Sequence, residues 1–181
     1  IEISTVYLGV HPSWMSYMYD LLDKYNIETD RVRLAQGGET RNGTIFKIID
    51  EIKRDYGEND DDIIVTHDAV RPFVTLRIIE ENIAAAETYG ACDTVVCATD
   101  TIVRSENGEE ISEIPNREFM YQGQTPQSFK IKLLKELYSQ LTNEEKETLT
   151  DACKICVIKN VPVKLIKGET LNMKITTVND Y

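Results

Sequence analysis

Short apolar, β-branched runs alternate with longer amphipathic stretches over the first half of the chain. Ile3 to Val10 reads as a strand, and His11-Pro12-Ser13 as a turn in which Ser13 is predicted to cap a helix. Met15, Met18, Leu22 and Tyr25 fall on one face of that helix. Arg31 to Ala35 reads as a second strand, and Ile45, Ile48, Ile49 and Ile52 mark the inner face of a second helix. Ile63-Ile64-Val65 is too short for a helix and uniformly apolar, which predicts a strand buried in a parallel sheet. A helix opening near Thr75 follows, with Leu76, Ile79, Ile83 and Ala86 inward and Gly90 placed to end it. Asp93 to Ala98 adds another strand. The order predicts an alternating α/β layer fold.

The alternation stops at Thr99. Residues 100–104 and 110–114 flank Glu106-Asn107-Gly108-Glu109, whose Asn-Gly pair predicts a hairpin. It carries too few apolar residues for a core of its own, so it is expected to pack on a partner or cover a site. Residues 115–129 read as irregular and amide-rich, with Gln122, Gln124 and Gln127, and with Pro126 fixing a turn. Ile131, Leu134, Tyr138 and Leu141 mark a further helix, and Thr150-Asp151-Ala152 opens one more. Val163 to Ile166 and Met173 to Thr177 are predicted as closing strands around Gly168. No repeat or linker interrupts the pattern, and residues 1–181 are expected to form a single domain.

Charge narrows the partners. Twenty basic against 31 acidic residues give a net charge of −11, which argues against a nucleic acid or an anionic membrane surface. No apolar stretch reaches membrane-spanning length and nothing reads as a signal peptide, so a cytoplasmic location without membrane insertion is expected. Cys153-Lys154-Ile155-Cys156 has C-x-x-C spacing, but no second pair completes a zinc set; buried small hydrophobes are expected.

Two loops carry candidate chemistry. Thr66-His67-Asp68-Ala69-Val70-Arg71-Pro72-Phe73 follows the buried strand, at the sheet edge where α/β folds collect ligands. Asp68 offers oxygens suited to Mg²⁺ and Arg71 a fork suited to phosphate, while Pro72 stiffens the turn. An Asp–Arg pair that only staples the strand end is the alternative, and His67 reads as structural. Gly37-Gly38-Glu39-Thr40-Arg41-Asn42-Gly43-Thr44 turns tightly onto a helix N-terminus. That is either an anion or acceptor site or a plain strand–helix turn. The acidic loop at 57–62 reads as solvated.

Together these stretches resemble the cytidylyltransferases that activate small sugar or polyol phosphates. The resemblance runs through Gly37-Gly38-x-x-Arg41-x-x-Thr44, His67-Asp68-Ala69-x-Arg71-Pro72, Asp100-Thr101, Gln124-Thr125-Pro126-Gln127-x-Phe129, Thr150-Asp151-Ala152 and Asn172-x-Lys174-Ile175-Thr176. It implies a Rossmann-like nucleotidyltransferase, a three-layer sandwich with a mostly parallel sheet and an inserted β-hairpin arm at about residues 99–119. It implies CTP as substrate and Mg²⁺, or another divalent cation, on Asp68. Gly37, Gly38, Glu39, Arg41, Asn42, Thr44, Asp68 and Ala69 would bind the nucleotide, Gly38 and Thr44 reading cytosine rather than holding phosphate. Arg117 and Lys174 would position the acceptor phosphate, with Arg71, Thr101 and Thr125 helping, and the arm would join a homodimer.

Within that family, residues 66–73 and Met120-Tyr121-Gln122-Gly123-Gln124 most resemble the branch acting on D-ribitol 5-phosphate. That implies CDP-ribitol and pyrophosphate as products, for teichoic acid synthesis. The methylerythritol-phosphate branch of isoprenoid synthesis is the alternative. The family's opening strand and glycine-rich triphosphate loop have no counterpart here. The expectation is a piece of a longer protein, a poor catalyst as it stands, with a non-catalytic nucleotide-binding remnant as the reading of another class.

Overall fold

The computed structural model describes residues 3–27 and 30–180. The backbone gathers into two compact units, Ile1–Ile64 with Lys130–Val161 and Val65–Phe129 with Pro162–Tyr181. Each is assembled from two stretches of chain.

The first unit is built on two parallel strands, β1 (Val6–Val10) and β2 (Val32–Gln36), paired from Val6 opposite Val32 to Val10 opposite Gln36. Helix α1 (Met15–Lys24) connects them. Met15 and Met18 are half-buried and Leu22 is buried as its pattern predicts, but Tyr25 lies past the helix end and is exposed. Ser13 is no cap: it sits inside a 3-10 turn, Pro12–Trp14, where the His11 ring accepts its N–H. Helix α2 (Arg41–Tyr56) starts at Thr40, whose hydroxyl accepts the Gly43 N–H, and buries Ile45 and Ile49. Helices α4 (Ile131–Ser139), α5 (Asn143–Glu147) and α6 (Cys153–Ile158) complete the unit. Helix α5 has no apolar stripe to announce it; the Thr142–Glu145 capping box holds it. Asp151 Oδ1 accepts the Cys153 N–H at 2.7 Å as α6 opens. Cys153 and Cys156 are buried and form no disulfide, as expected.

The second sheet has the order β3 (Ile63–Thr66), β5 (Tyr121–Lys130), β4 (Ala91–Cys97), β6 (Lys164–Lys167). Strand β4 runs parallel to β6 and antiparallel to β5. Strand β5 corrects the sequence reading, which left 115–129 irregular. All six residues from Gln124 to Phe129 are buried, so no polar–apolar alternation exists to be read. The last predicted strand, Met173 to Thr177, is not formed; that segment is irregular, with Ile175 N–H donating to Val70 O at 2.8 Å and Thr177 O accepting the Asp180 N–H at 3.1 Å.

Helix α3 (Leu76–Tyr89) ends at Gly90 in the left-handed region, as expected. Its inner face differs from the prediction. Leu76 is 69% exposed, while Ile78, Asn82, Ala85 and Ala86 are buried. Asn82 makes the difference: its amide donates to Ile78 O and Thr94 Oγ1, both at 2.9 Å, and its Oδ1 accepts from Ser128 at 3.3 Å. A satisfied amide can occupy a core position that an apolar pattern assigns to its neighbours.

The arm is present as an excursion rather than a regular hairpin. Arg104 and Glu113 form an isolated antiparallel bridge, and Asn107 Oδ1 accepts the N–H groups of Glu109 and Glu110 across the turn. Val103, Ile111 and Ile114 are more than half exposed. No helix among the described residues is long and apolar enough to cross a membrane.

Candidate active site

In the second unit the chemistry gathers where β3 ends. Thr66 is buried and its hydroxyl donates to Gln127 O at 3.0 Å, fixing the point of departure. The next residues make a turn closed by Arg71 N–H to Asp68 O at 2.9 Å. His67 braces that turn. Its Nε2 meets the Arg71 carbonyl and its Nδ1 the Thr125 hydroxyl, each at 2.9 Å, and Thr125 Oγ1 also accepts the Asp68 N–H at 3.1 Å. A carbonyl only accepts, so Nε2 carries the proton of that bond, and a neutral ring then accepts the Thr125 hydroxyl proton at Nδ1. His67 is structural, as its sequence reading holds.

The turn presents the Asp68 carboxylate to two cations. Lys174 Nζ lies 3.2 Å from Asp68 Oδ2 and Arg71 Nε 3.7 Å from the same oxygen. The side chains of Asp68 and Arg71 are 17% and 12% exposed, so this pair is screened less than a surface pair. Two cations around one carboxylate leave the cluster one charge positive in a chain of net −11. Such a local reversal of sign suits an anionic group. Arg71 is aimed by a further bond, from its NH1 to the carbonyl of Asn172 at 2.8 Å.

The turn is supported from behind. Pro126 follows a cis peptide bond, and its carbonyl accepts from the buried Thr94 hydroxyl at 2.6 Å. Asn172, fully buried, donates from its amide to Thr125 O at 2.7 Å and to Gln124 Oε1 at 3.3 Å. Gln127 Nε2 donates to Asp93 Oδ1 at 3.0 Å. The sequence reading places Gln124, Gln127 and Asn172 in the motifs of the family resemblance but assigns them no role, and it takes residues 115–129 as irregular.

The glycine loop lies in the first unit and is tightly determined. Gly37 N–H donates to Val10 O at 2.7 Å, and Lys47 Nζ to Gly37 O at 3.0 Å. A Cβ on Gly38 would lie 2.7 Å from the Gly43 carbonyl carbon and 2.9 Å from Thr44 N. Only glycine allows that approach. Thr44 Oγ1 accepts the Gly38 N–H at 2.9 Å and donates to Thr40 O at 3.1 Å. Its proton is therefore committed within the loop. Glu39 is exposed and Asn42 buried, the latter with an Oδ1 that finds no partner.

Asp68, Arg71, Thr125 and Lys174 are thus brought together. Ala69 is exposed on the same turn. Arg117 is exposed and its guanidinium donates to Thr99 O at 2.9 Å, and Thr101 is exposed at the start of the arm. Among the described residues no group of three or more His, Cys, Asp or Glu could hold a metal. Asp68 is the residue that the sequence offers to Mg²⁺, and a single carboxylate is an ordinary protein share for an ion otherwise held by substrate phosphates and water.

A family model described as IspD: 2-C-methyl-D-erythritol 4-phosphate cytidylyltransferase matches residues 1–181. The solved 4-diphosphocytidyl-2C-methyl-D-erythritol synthase of Anaerococcus prevotii is 25% identical with a TM-score of 0.79, over 98% of this chain and 75% of that one. The 2-C-methyl-D-erythritol 4-phosphate cytidylyltransferase of Thermus thermophilus is 27% identical with a TM-score of 0.69, over 83% of this chain and 70% of that one. The enzyme of the same name from Francisella tularensis, 22% identical, shares the fold with a TM-score of 0.79 over 98% of this chain and 77% of that one. The α/β nucleotidyltransferase fold with its mostly parallel sheet is common to all of them. This chain belongs to the IspD family of cytidylyltransferases.

Proposed function

We propose that this protein transfers the cytidylyl group of CTP to the phosphate of a small polyol phosphate. The observation that carries this reading is the cluster at the end of β3, where Asp68 meets Lys174 at 3.2 Å and Arg71 at 3.7 Å. An acceptor phosphate oxygen attacks the α-phosphorus of CTP; the new P–O bond forms as the bond to the bridging oxygen breaks, and pyrophosphate leaves. The nucleophile is already an anion, so positioning and charge neutralisation matter more than a strong base.

Lys174 and Arg71, with Arg117, hold the acceptor phosphate, and Thr101 and Thr125 assist. The glycine loop takes the cytosine, through the Gly38 backbone and the remaining lone pair of Thr44. Asp68 would hold Mg²⁺ together with triphosphate oxygens, and the ion, when bound, supplies Lewis-acid and template chemistry. A cation arriving with the nucleotide fits this donor set better than a resident one, because Arg71 and Lys174 already balance Asp68. The arm joins two copies into a homodimer.

For the acceptor we propose D-ribitol 5-phosphate, giving CDP-ribitol for teichoic acid synthesis. The support is the form of residues 66–73, with Val70 and Phe73, and of Tyr121-Gln122-Gly123. The names carried by the family model and by the solved structures favour 2-C-methyl-D-erythritol 4-phosphate, which stands as the second reading. Side-by-side kcat/KM values for pyrophosphate release decide between them. A preference for ribitol 5-phosphate of about tenfold or more is expected, and a preference for the branched substrate gives the assignment to the second reading.

A further inference from the structure

Three segments meet at one buried residue, two of them through its backbone. Asn172 is fully buried; its Nδ2 donates to Thr125 O at 2.7 Å and to Gln124 Oε1 at 3.3 Å, and its own carbonyl receives Arg71 NH1 at 2.8 Å. Gln124 is clamped in turn, its Nε2 donating to Glu169 O at 2.9 Å and its Oε1 accepting the Glu169 N–H at 3.3 Å. Asn172 N–H donates to Glu169 O at 3.0 Å, so residues 169–172 wrap around the Gln124 amide. Gly168 leaves the room for this: a Cβ there would collide with Gln124 Oε1 and lie 3.0 Å from Thr94 Cγ2. Asn172 Oδ1 finds no partner among the protein's own groups. A buried amide network that ties residues 124–125 to residues 169–172 beside a charged cluster points to positioning.

We propose that Asn172 is a positioning residue for the acceptor phosphate. Through Gln124 it fixes the 169–175 segment, which places the carbonyl that aims Arg71 and, two residues on, the Lys174 ammonium. The inference rests on the cytidylyl transfer proposed above and adds a residue to it. Asn172 touches no substrate, so its loss acts on acceptor binding and leaves the recognition of CTP alone.

The test uses Asn172→Ala and Gly168→Ala in the protein, with ribitol 5-phosphate and methylerythritol 4-phosphate as acceptors. For whichever acceptor the wild type uses, Asn172→Ala is expected to raise KM about tenfold, because displacing the 169–175 segment weakens about one charged hydrogen bond from Arg71 or Lys174 to the phosphate. Gly168→Ala should move the same constant in the same direction by less, and CTP affinity by calorimetry should be unchanged in both. A lower melting temperature with an unchanged acceptor KM in both variants overturns the inference, since a purely structural role lowers the active fraction only. If Asn172→Ala does not fold, Gly168→Ala decides on the same terms. Absence of acceptor-dependent pyrophosphate release in the wild type overturns the proposed reaction itself, and this inference with it. Normal wild-type turnover with unmoved KM in the variants overturns the inference alone.

Discussion

Gly38 is where one missing atom matters most. Its Cβ would stand 2.7 Å from backbone at Gly43, and backbone cannot yield as a side-chain tip can. Gly38→Ala is expected to weaken CTP binding about tenfold or more, with little loss of secondary structure; calorimetry with CTP beside circular dichroism checks it. The thiols give a second test at this scale. Cys97 is exposed, whereas burial pushes the Cys92 and Cys156 thiols up to about 11. Near neutral pH those two stay protonated as well as shielded, so a thiol reagent should label Cys97 first. Labelling read by peptide mass spectrometry checks the order, and equal rates at Cys97 and Cys92 would contradict the burial. Asp68 and Arg71 were legible as candidates because an acidic and a basic residue stand three apart after an apolar run, although a pair that only staples the strand end reads the same way. The burial of Asn172 and Gln124 was not legible, since buried amides look like surface amides until their partners are known.

Among the elements, the helices and strands with a clear apolar period were readable, and those built on buried polar groups were not. Strand β5 lies between β3 and β4, yet its glutamines, threonine and serine mimic a loop. Phe129 anchors its end with no exposed surface, so Phe129→Ala should cost about 3–5 kcal/mol in chemical denaturation. A cost under about 1 kcal/mol, the range of a surface change, would contradict that burial. The arm was legible as an excursion through Asn107-Gly108 but not as one bridge pair, because side-chain caps rather than a ladder hold its turn. Its exposed Ile111 and Ile114, each 60% exposed, support the proposed dimer. Replacing residues 104–112 with a short Gly-Ser turn should convert the dimer to monomers and lower activity. Light scattering at matched concentration checks this; a monomeric wild type or a dimeric variant would contradict it.

At the scale of the whole chain, the family was legible because its motifs recur in order from Gly37 to Thr176, and the family model matches over the same length. The split into two compact units was not legible, because each unit draws on distant stretches and no change of composition marks a crossing point. The identity of the acceptor alcohol is the least readable property, since a polyol tail is gripped by hydroxyls and backbone that carry no spacing signature. The chemistry itself is less ambiguous. A positive cluster within a chain of net −11 should bind its anions with a marked salt dependence. The most direct measurement is polyol-phosphate-dependent pyrophosphate release from CTP by the protein, beside its Asp68→Asn variant. The expected result is robust release by the wild type and a loss of about 10²-fold or more in the variant at nearly unchanged melting temperature. Near-normal release by Asp68→Asn, or none by the wild type with either polyol phosphate, would contradict it.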